Sequence, residues 1–233
     1  SKPVPTEGSE TATTSNSQMV QVSKPQVTLS LPPRLAGNDS LPSSLTGQQT
    51  QMLLGTMLGD GCMTTQNRNP RYRSQHSYKQ HEYNLAKYQV LSEFVRTPPK
   101  KSKNQGFGEW SSRWATLTAT ALWPIASLCL HEGKKLVTQE WLDQLTWEGV
   151  AWWYQDDGSL SKNRSMSFPT QGFSKEEVEL LSSWLTQNGI PAQPASKKSR
   201  HNTEHLYWVI DLGVDAAYML AENRTTAFVW LVN

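Results

Sequence analysis

Two apolar segments of the chain end alike, and their spacing constrains the fold more than any other feature. Leu53-Leu54-Gly55-Thr56-Met57-Leu58-Gly59-Asp60-Gly61 and Val150-Ala151-Trp152-Trp153-Tyr154-Gln155-Asp156-Asp157-Gly158 each read as an apolar helix that delivers an aspartate at its C-terminal end. Asp60 and Asp157 lie 97 positions apart, and the same offset carries the basic pair Lys100-Lys101 onto Lys197-Lys198. Gln75, ahead of His81-Glu82, is answered within one residue by Gln171, ahead of Glu176-Glu177. Landmarks kept in step over such a distance mark an internal repeat. We read a first repeat over residues 47–146 and a second over 147–233. Residues 1–46, rich in Ser, Thr, Pro, Gln and Asn and without helical or strand periodicity, read as a flexible tail.

Within each repeat the apolar and polar positions alternate between helix and strand periods. Thr46 stands where a cap for the first helix belongs, residues 72–78 are strand-like, and 80–95 are helical by the spacing of Tyr83, Leu85, Ala86, Tyr88, Leu91 and Phe94. A strand is expected from Trp110 to Thr118 and a helix from Ala119 to Leu130, and the order then recurs. The expected class is α+β.

A carboxylate at a helix C-terminus faces the negative pole of its own helix, a placement that asks for a compensating cation. Packed side by side, the two helices would bring both acids to one end of their interface, where divalent cations also relieve the mutual repulsion. Gly55, Gly59, Gly149 and Ala151 are small enough to permit the approach. Paired hard oxygens without a Cys or His cluster suit Mg2+ rather than zinc, and Mn2+ or Ca2+ could take the same places. Such ions serve phosphodiester hydrolysis by activating water and stabilising the leaving oxygen.

Charge excludes little. Twenty-two Lys and Arg against 20 Asp and Glu leave a formal charge of +2, so distribution has to reveal any polyanionic partner. Cys62 and Cys129 are too few for a disulfide framework or a zinc site and fit a reducing compartment. Without an apolar run of about 18 residues or the apolar core of a signal peptide, the chain is expected to be intracellular and to avoid membranes. The ten tryptophans are assigned to packing, and the five histidines, lacking ligand spacing, receive no role.

Basic and amide side chains do cluster. Arg68, Arg71, Arg73 and Gln75 lie in one polar stretch, with Arg71, Arg73 and Gln75 alternating as on one strand face, and Lys162, Asn163 and Arg164 repeat that composition in the second half. Arg and Lys pair with guanine edges and Gln and Asn with adenine edges in the major groove. Lys100, Lys101, Lys103, Lys197, Lys198 and Arg200 are assigned to paired loops that touch phosphates.

At Leu58-Gly59-Asp60-Gly61 and Gln155-Asp156-Asp157-Gly158 the chain resembles the LAGLIDADG homing endonucleases of organellar and microbial introns, over roughly residues 47 to 223. Pro98-Pro99-Lys100, Gly133-Lys134-Lys135 and Ser167-Phe168-Pro169-Thr170-Gln171-Gly172-Phe173 are similar to stretches of that branch. The resemblance implies a pseudo-two-fold duplicated αββαββα fold whose antiparallel sheets form a saddle over double-stranded DNA. It implies a monomer in which Asp60 and Asp157 are catalytic and hold the metals, each serving one strand, with Gly59 and Asp156 beside them in the metal site. Lys134 or Lys135 matches the place of a basic residue near the first active site. Three departures stand out: Trp152 at a helix-interface position that is small in many members, which implies a looser crossing; Asp156, a second ligand or a solvated acid; and a C-terminus in which only Arg224 could stand for the second basic residue. The altered C-terminus keeps a second reading open, a nucleic-acid-binding protein that does not cut, such as an intron-splicing maturase acting on intron RNA. By the same resemblance the cellular setting is an organelle, mitochondrion or chloroplast, or a microbial cytoplasm.

Overall fold

Thr46 opens the first helix: its hydroxyl accepts from the Gln49 amide at 3.2 Å, and the Gln49 side chain accepts from the Thr46 amide at 3.0 Å. This reciprocal capping box satisfies donors that a helix start otherwise leaves open. The computed structural model describes residues 40–66, 68–103, 110–160, 166–198 and 206–216, all within one compact unit.

Helix α1 (Gly47–Leu58) leads into β1 (Cys62–Thr64) and β2 (Arg71–Ser77), helix α2 (His81–Val90), strands β3 (Lys100–Lys103) and β4 (Trp110–Ala115), and helix α3 (Trp123–Cys129). A short hairpin, β5 (Leu130–His131) and β6 (Lys134–Lys135), and helix α4 (Gln139–Gln144) then connect to α5 (Trp147–Asp157). The pattern repeats as β7 (Ser159–Leu160), β8 (Met166–Pro169), α6 (Lys175–Gln187), β9 (Ala192–Lys198) and β10 (Leu206–Leu212). The sheets have corresponding antiparallel orders, β1-β2-β4-β3 and β7-β8-β10-β9. The class is α+β, as the periodicities predict.

The boundaries differ where short-range rules compete. The helix expected over 80–95 is α2 flanked by single 3-10 turns at Tyr78–Gln80 and Ser92–Phe94, and the strand expected to reach Thr118 ends at Ala115. Gln75 lies within β2, whereas Gln171 sits in the turn beyond β8, so that pair does not mark equivalent places.

Strand β2 alternates exposed and buried along its whole length, as the two-residue period of a half-buried strand requires. Tyr72, Ser74 and His76 point inward, beneath α2. In the second sheet the inward residues are Met166, Phe168, Ile210 and Leu212, covered by Val178, Leu181 and Leu185 of α6. Phe168 stacks on Trp153 of α5 with ring centroids 3.8 Å apart and planes 19° apart. Burying an aromatic or aliphatic side chain of this size stabilises the fold by about 1.5–3 kcal/mol, so this stack fixes α5 on its sheet.

Candidate active site at the helix seam

Helices α1 and α5 pack against each other at backbone contact. A Cβ on Gly55 would collide with the Gly149 carbonyl oxygen and lie 3.0 Å from Trp152 Cβ, and one on Gly59 would lie 2.6 Å from Asp156 Cβ. Only glycine allows this approach. Trp152 therefore does not loosen the crossing: it is buried with its Cβ against Gly55, and its indole lies beside the Tyr83 ring at 6.0 Å. Gln51 of α1 ties the start of α5, donating to the Gln144 carbonyl at 2.9 Å and accepting from the Thr146 amide at 2.8 Å.

The seam delivers the two repeated aspartates to each other. The Asp60 and Asp157 side chains lie close enough for each to shift the other's pKa. Burial, with Asp156 adding to it, raises the Asp60 pKa although Asp157 lowers it, and burial, then Asp60 and Asp156, pushes Asp157 up to about 7.

Beside them stands Lys135. The hairpin turn that presents it has positive φ at both central residues, Glu132 at 50° and Gly133 at 78°, the backbone that matches the twist of paired strands. Its ammonium donates to the Gly59 carbonyl at 2.6 Å, placing a cation on the negative pole of α1. Burial lowers the Lys135 pKa against the opposing pull of Asp156, Asp157 and Asp60. Lys134, one residue earlier in the strand, is exposed on the other side. The alternation of the hairpin thus separates the two lysines that the sequence leaves equivalent.

Asp156 is not a solvated acid. Its side chain is fully buried, occupies the space that Gly59 leaves, and forms a 2.7 Å ion pair with buried Lys87 of α2. Tyr83 donates to the same oxygen at 2.8 Å, and His76 Nε2 lies 3.5 Å from it. Burial lowers the Lys87 pKa, but Asp156 and its neighbours outweigh that and leave it raised, so the ammonium stays charged. Burial, with Lys87 adding to it, takes His76 down to about 4, so the imidazole is neutral; its Nδ1 lies 3.7 Å from Asp60. Neither Lys87 nor His76 features in the sequence reading of the site. A signal was present: Tyr83, Asn84, Lys87 and Tyr88 share the inward face of α2 at i, i+1, i+4 and i+5 spacing, which sets a lysine among core positions.

The outer faces of the sheets carry the polar residues. Arg71, Arg73 and Gln75 are exposed at alternate positions of β2, and Arg113, which the sequence reading passed over, pairs in register with both Gln75 and Lys100. With Asp60 these line a groove of about 780 Å³. Arg68 is exposed in the β1–β2 connection. The lysines assigned to loops are in strands: Lys100, Lys101 and Lys103 in β3, Lys197 and Lys198 at the end of β9. Strand alternation splits each pair, so Lys101 turns from Lys100 and rests over the rings of Tyr78 and Trp110 at 4.6 and 4.7 Å. Lys197 pairs with Asp211 at 3.2 Å. Lys162, Asn163, Arg164, Arg200 and Arg224 lie outside the described residues.

Two four-stranded antiparallel sheets in matching order, joined by a glycine-lined helix pair that presents two acids, define a duplicated α+β protein with its candidate active site at the pseudo-symmetric seam. The sequence profile of the LAGLIDADG DNA endonuclease family matches residues 50–217, and the chain belongs to that family. It is 29% identical over 149 residues to a probable intron-encoded endonuclease 1 of Wickerhamomyces canadensis, covering 60% of this chain and 64% of that protein. It is 30% identical over 141 residues to protein RecA of Mycolicibacterium chitae, covering 57% of this chain and 31% of that protein. The chain thus spans less than two thirds of either relative. The fold is that of the homing endonuclease I-WcaI, solved bound to its DNA recognition sequence, with a TM-score of 0.69 and 22% identity over 85% of this chain and 95% of that one. Among the described residues, no helix is long and apolar enough to cross a membrane.

Proposed function

We propose that the protein is a site-specific endonuclease that hydrolyses both strands of duplex DNA with divalent metal ions held at Asp60 and Asp157. The observation that carries this reading is the meeting of these two acids, one from each half, close enough for each to shift the other's pKa. A pair of carboxylates that retains a proton near neutral pH fits a divalent cation able to displace it. With the Gly59 carbonyl alongside, it forms a set of hard oxygens that water and substrate phosphate complete, as Mg2+ prefers and Mn2+ or Ca2+ tolerate. Ions bound there supply activated water and charge stabilisation of the leaving oxygen.

The remaining work belongs to the chain. Lys135 lies at the acid pair and is held to neutralise charge developing on the scissile phosphate. Arg71, Arg73, Gln75, Lys100 and Arg113 are held to bind DNA along the outer face of the first sheet, with Lys197 and the Lys162-Asn163-Arg164 stretch serving in the second half. One chain supplies both acids, so a monomer serves one target site, and we divide it into halves at 146/147. The DNA-bound I-WcaI structure and the intron-encoded relative support the same substrate.

Plasmids carrying candidate intron-insertion sites, incubated with the protein and Mg2+, test this. Linear product that EDTA abolishes, and that Asp60→Asn or Asp157→Asn each reduces at least about 1000-fold, is expected of residues acting at the reacting phosphate. Linearisation undiminished in either variant would remove the acid pair from the chemistry.

A further inference from the structure

We infer that Lys87 and Asp156 are positioning residues: an ion pair sealed beneath the active site that locks the last turn of α5, and with it Asp157, onto the first half of the chain. This rests on the endonuclease reading above. Asp156 and Asp157 are consecutive in a helix, so their side chains leave the axis about 100° apart and fixing the azimuth of one fixes that of the other. Asp156 is fixed from the opposite half, by Lys87 at 2.7 Å and Tyr83 at 2.8 Å, in space that only a glycine at position 59 leaves free. In the first repeat Gly59 occupies the corresponding place, so Asp60 has no such anchor and stands instead between His76 and Asp157. The two acids are therefore held by different means, one of them through a buried charge in the other half.

Stability alone does not account for this arrangement. Replacing a buried ion pair by apolar side chains of similar volume is often neutral or stabilising. Here the pair also leaves two buried polar atoms, His76 Nδ1 and Asp156 Oδ2, without hydrogen-bond partners. What the pair supplies, and an apolar pair would not, is direction and a fixed positive charge below three clustered carboxylates.

The test uses the full chain and the double variant Lys87→Met/Asp156→Leu, with Asp156→Asn as the single, shape-conserving variant. Circular dichroism and thermal unfolding establish that each is folded. Mn2+ titration followed by electron paramagnetic resonance, without DNA, reads the metal site, and time courses on supercoiled plasmid separate nicked from linear product. The expected result is a folded protein whose Mn2+ affinity at one site falls about tenfold. Its second-strand step should slow at least about thirtyfold so that nicked circles accumulate, with KM for DNA within about twofold of the parent. A folded double variant that binds Mn2+ and linearises DNA like the parent overturns the proposal. Should the double variant fail to fold, parental Mn2+ binding and parental nicked-to-linear ratios in Asp156→Asn overturn it equally. A parent that binds Mn2+ but cuts no DNA sinks the endonuclease reading, while the Mn2+ titrations still decide the positioning role.

Discussion

The two halves share a strand order but not an interior. Beneath the first sheet, Ser74 donates to the Asn84 side-chain carbonyl at 2.7 Å, Trp114 Nε1 donates to the same oxygen at 2.8 Å, and the Asn84 amide donates to the Ser112 carbonyl at 2.9 Å. Lys87 and His76 lie in the same layer. Beneath the second sheet, Phe168, Met166, Ile210 and Leu212 meet Trp153, Tyr154, Val178 and Leu181. One topology thus accepts a polar or an apolar interior, because the ladder of backbone hydrogen bonds sets strand order while the interior need only be filled and its polar groups paired. The polar interior is the one that faces the charged seam. The outer faces differ too, with Arg71, Arg73 and Arg113 on the first sheet and an internally paired Lys197–Asp211 on the second.

The contrast is sharpest in its energetics. Phe168→Ala, which opens a cavity in the apolar interior, should cost about 3–5 kcal/mol in urea unfolding. Asn84→Ala removes less volume but orphans the Ser74 hydroxyl, while Trp114 Nε1 keeps the residue-84 backbone carbonyl at 3.1 Å, and about 1–3 kcal/mol is expected from the lost pairing. A larger cost for Asn84→Ala than for Phe168→Ala would break the comparison, showing that the polar layer is the dominant core.

At the seam the halves should titrate against each other. Asp157 is raised from 3.8 to about 7, so across that window the native state binds more protons than the unfolded chain and stability falls as pH rises. His76 is lowered from 6.5 to about 4, which gives the opposite sign between those values. The two oppose each other up to pH 6.5, and above it only the acid remains. Melting of the protein in EDTA should therefore drop by a few degrees between pH 6.5 and about pH 8, and Asp157→Asn should flatten that drop. A flat profile in the parent would mean that the seam does not raise Asp157.

The smallest effect concerns the outer faces. In DNA binding with Ca2+ in place of Mg2+, Arg73→Gln should lower the slope of log affinity against log salt by about 1 if it meets a phosphate. Lys197→Gln should change the slope by less, because Asp211 already neutralises that lysine. Equal slopes for the two variants would make the sheets electrostatically alike.

Sequence alone determined what depends on near neighbours. The capping box at Thr46, the strand period of Arg71, Arg73 and Gln75, and the two helices ending in Asp60 and Asp157 all follow from residues a few positions apart. The repeat offset added the expectation that the two acids meet. Tertiary structure decided which member of each basic pair turns where, because strand alternation matters only once the partner strand is known: Lys135 goes to the seam and Lys134 to the surface. It also decided the fate of Asp156, whose partner Lys87 is 69 residues away in the chain. A charge near a helix end reads as solvated until a fold buries it, and whether an opposite charge is buried with it is a long-range property that local periodicity does not carry.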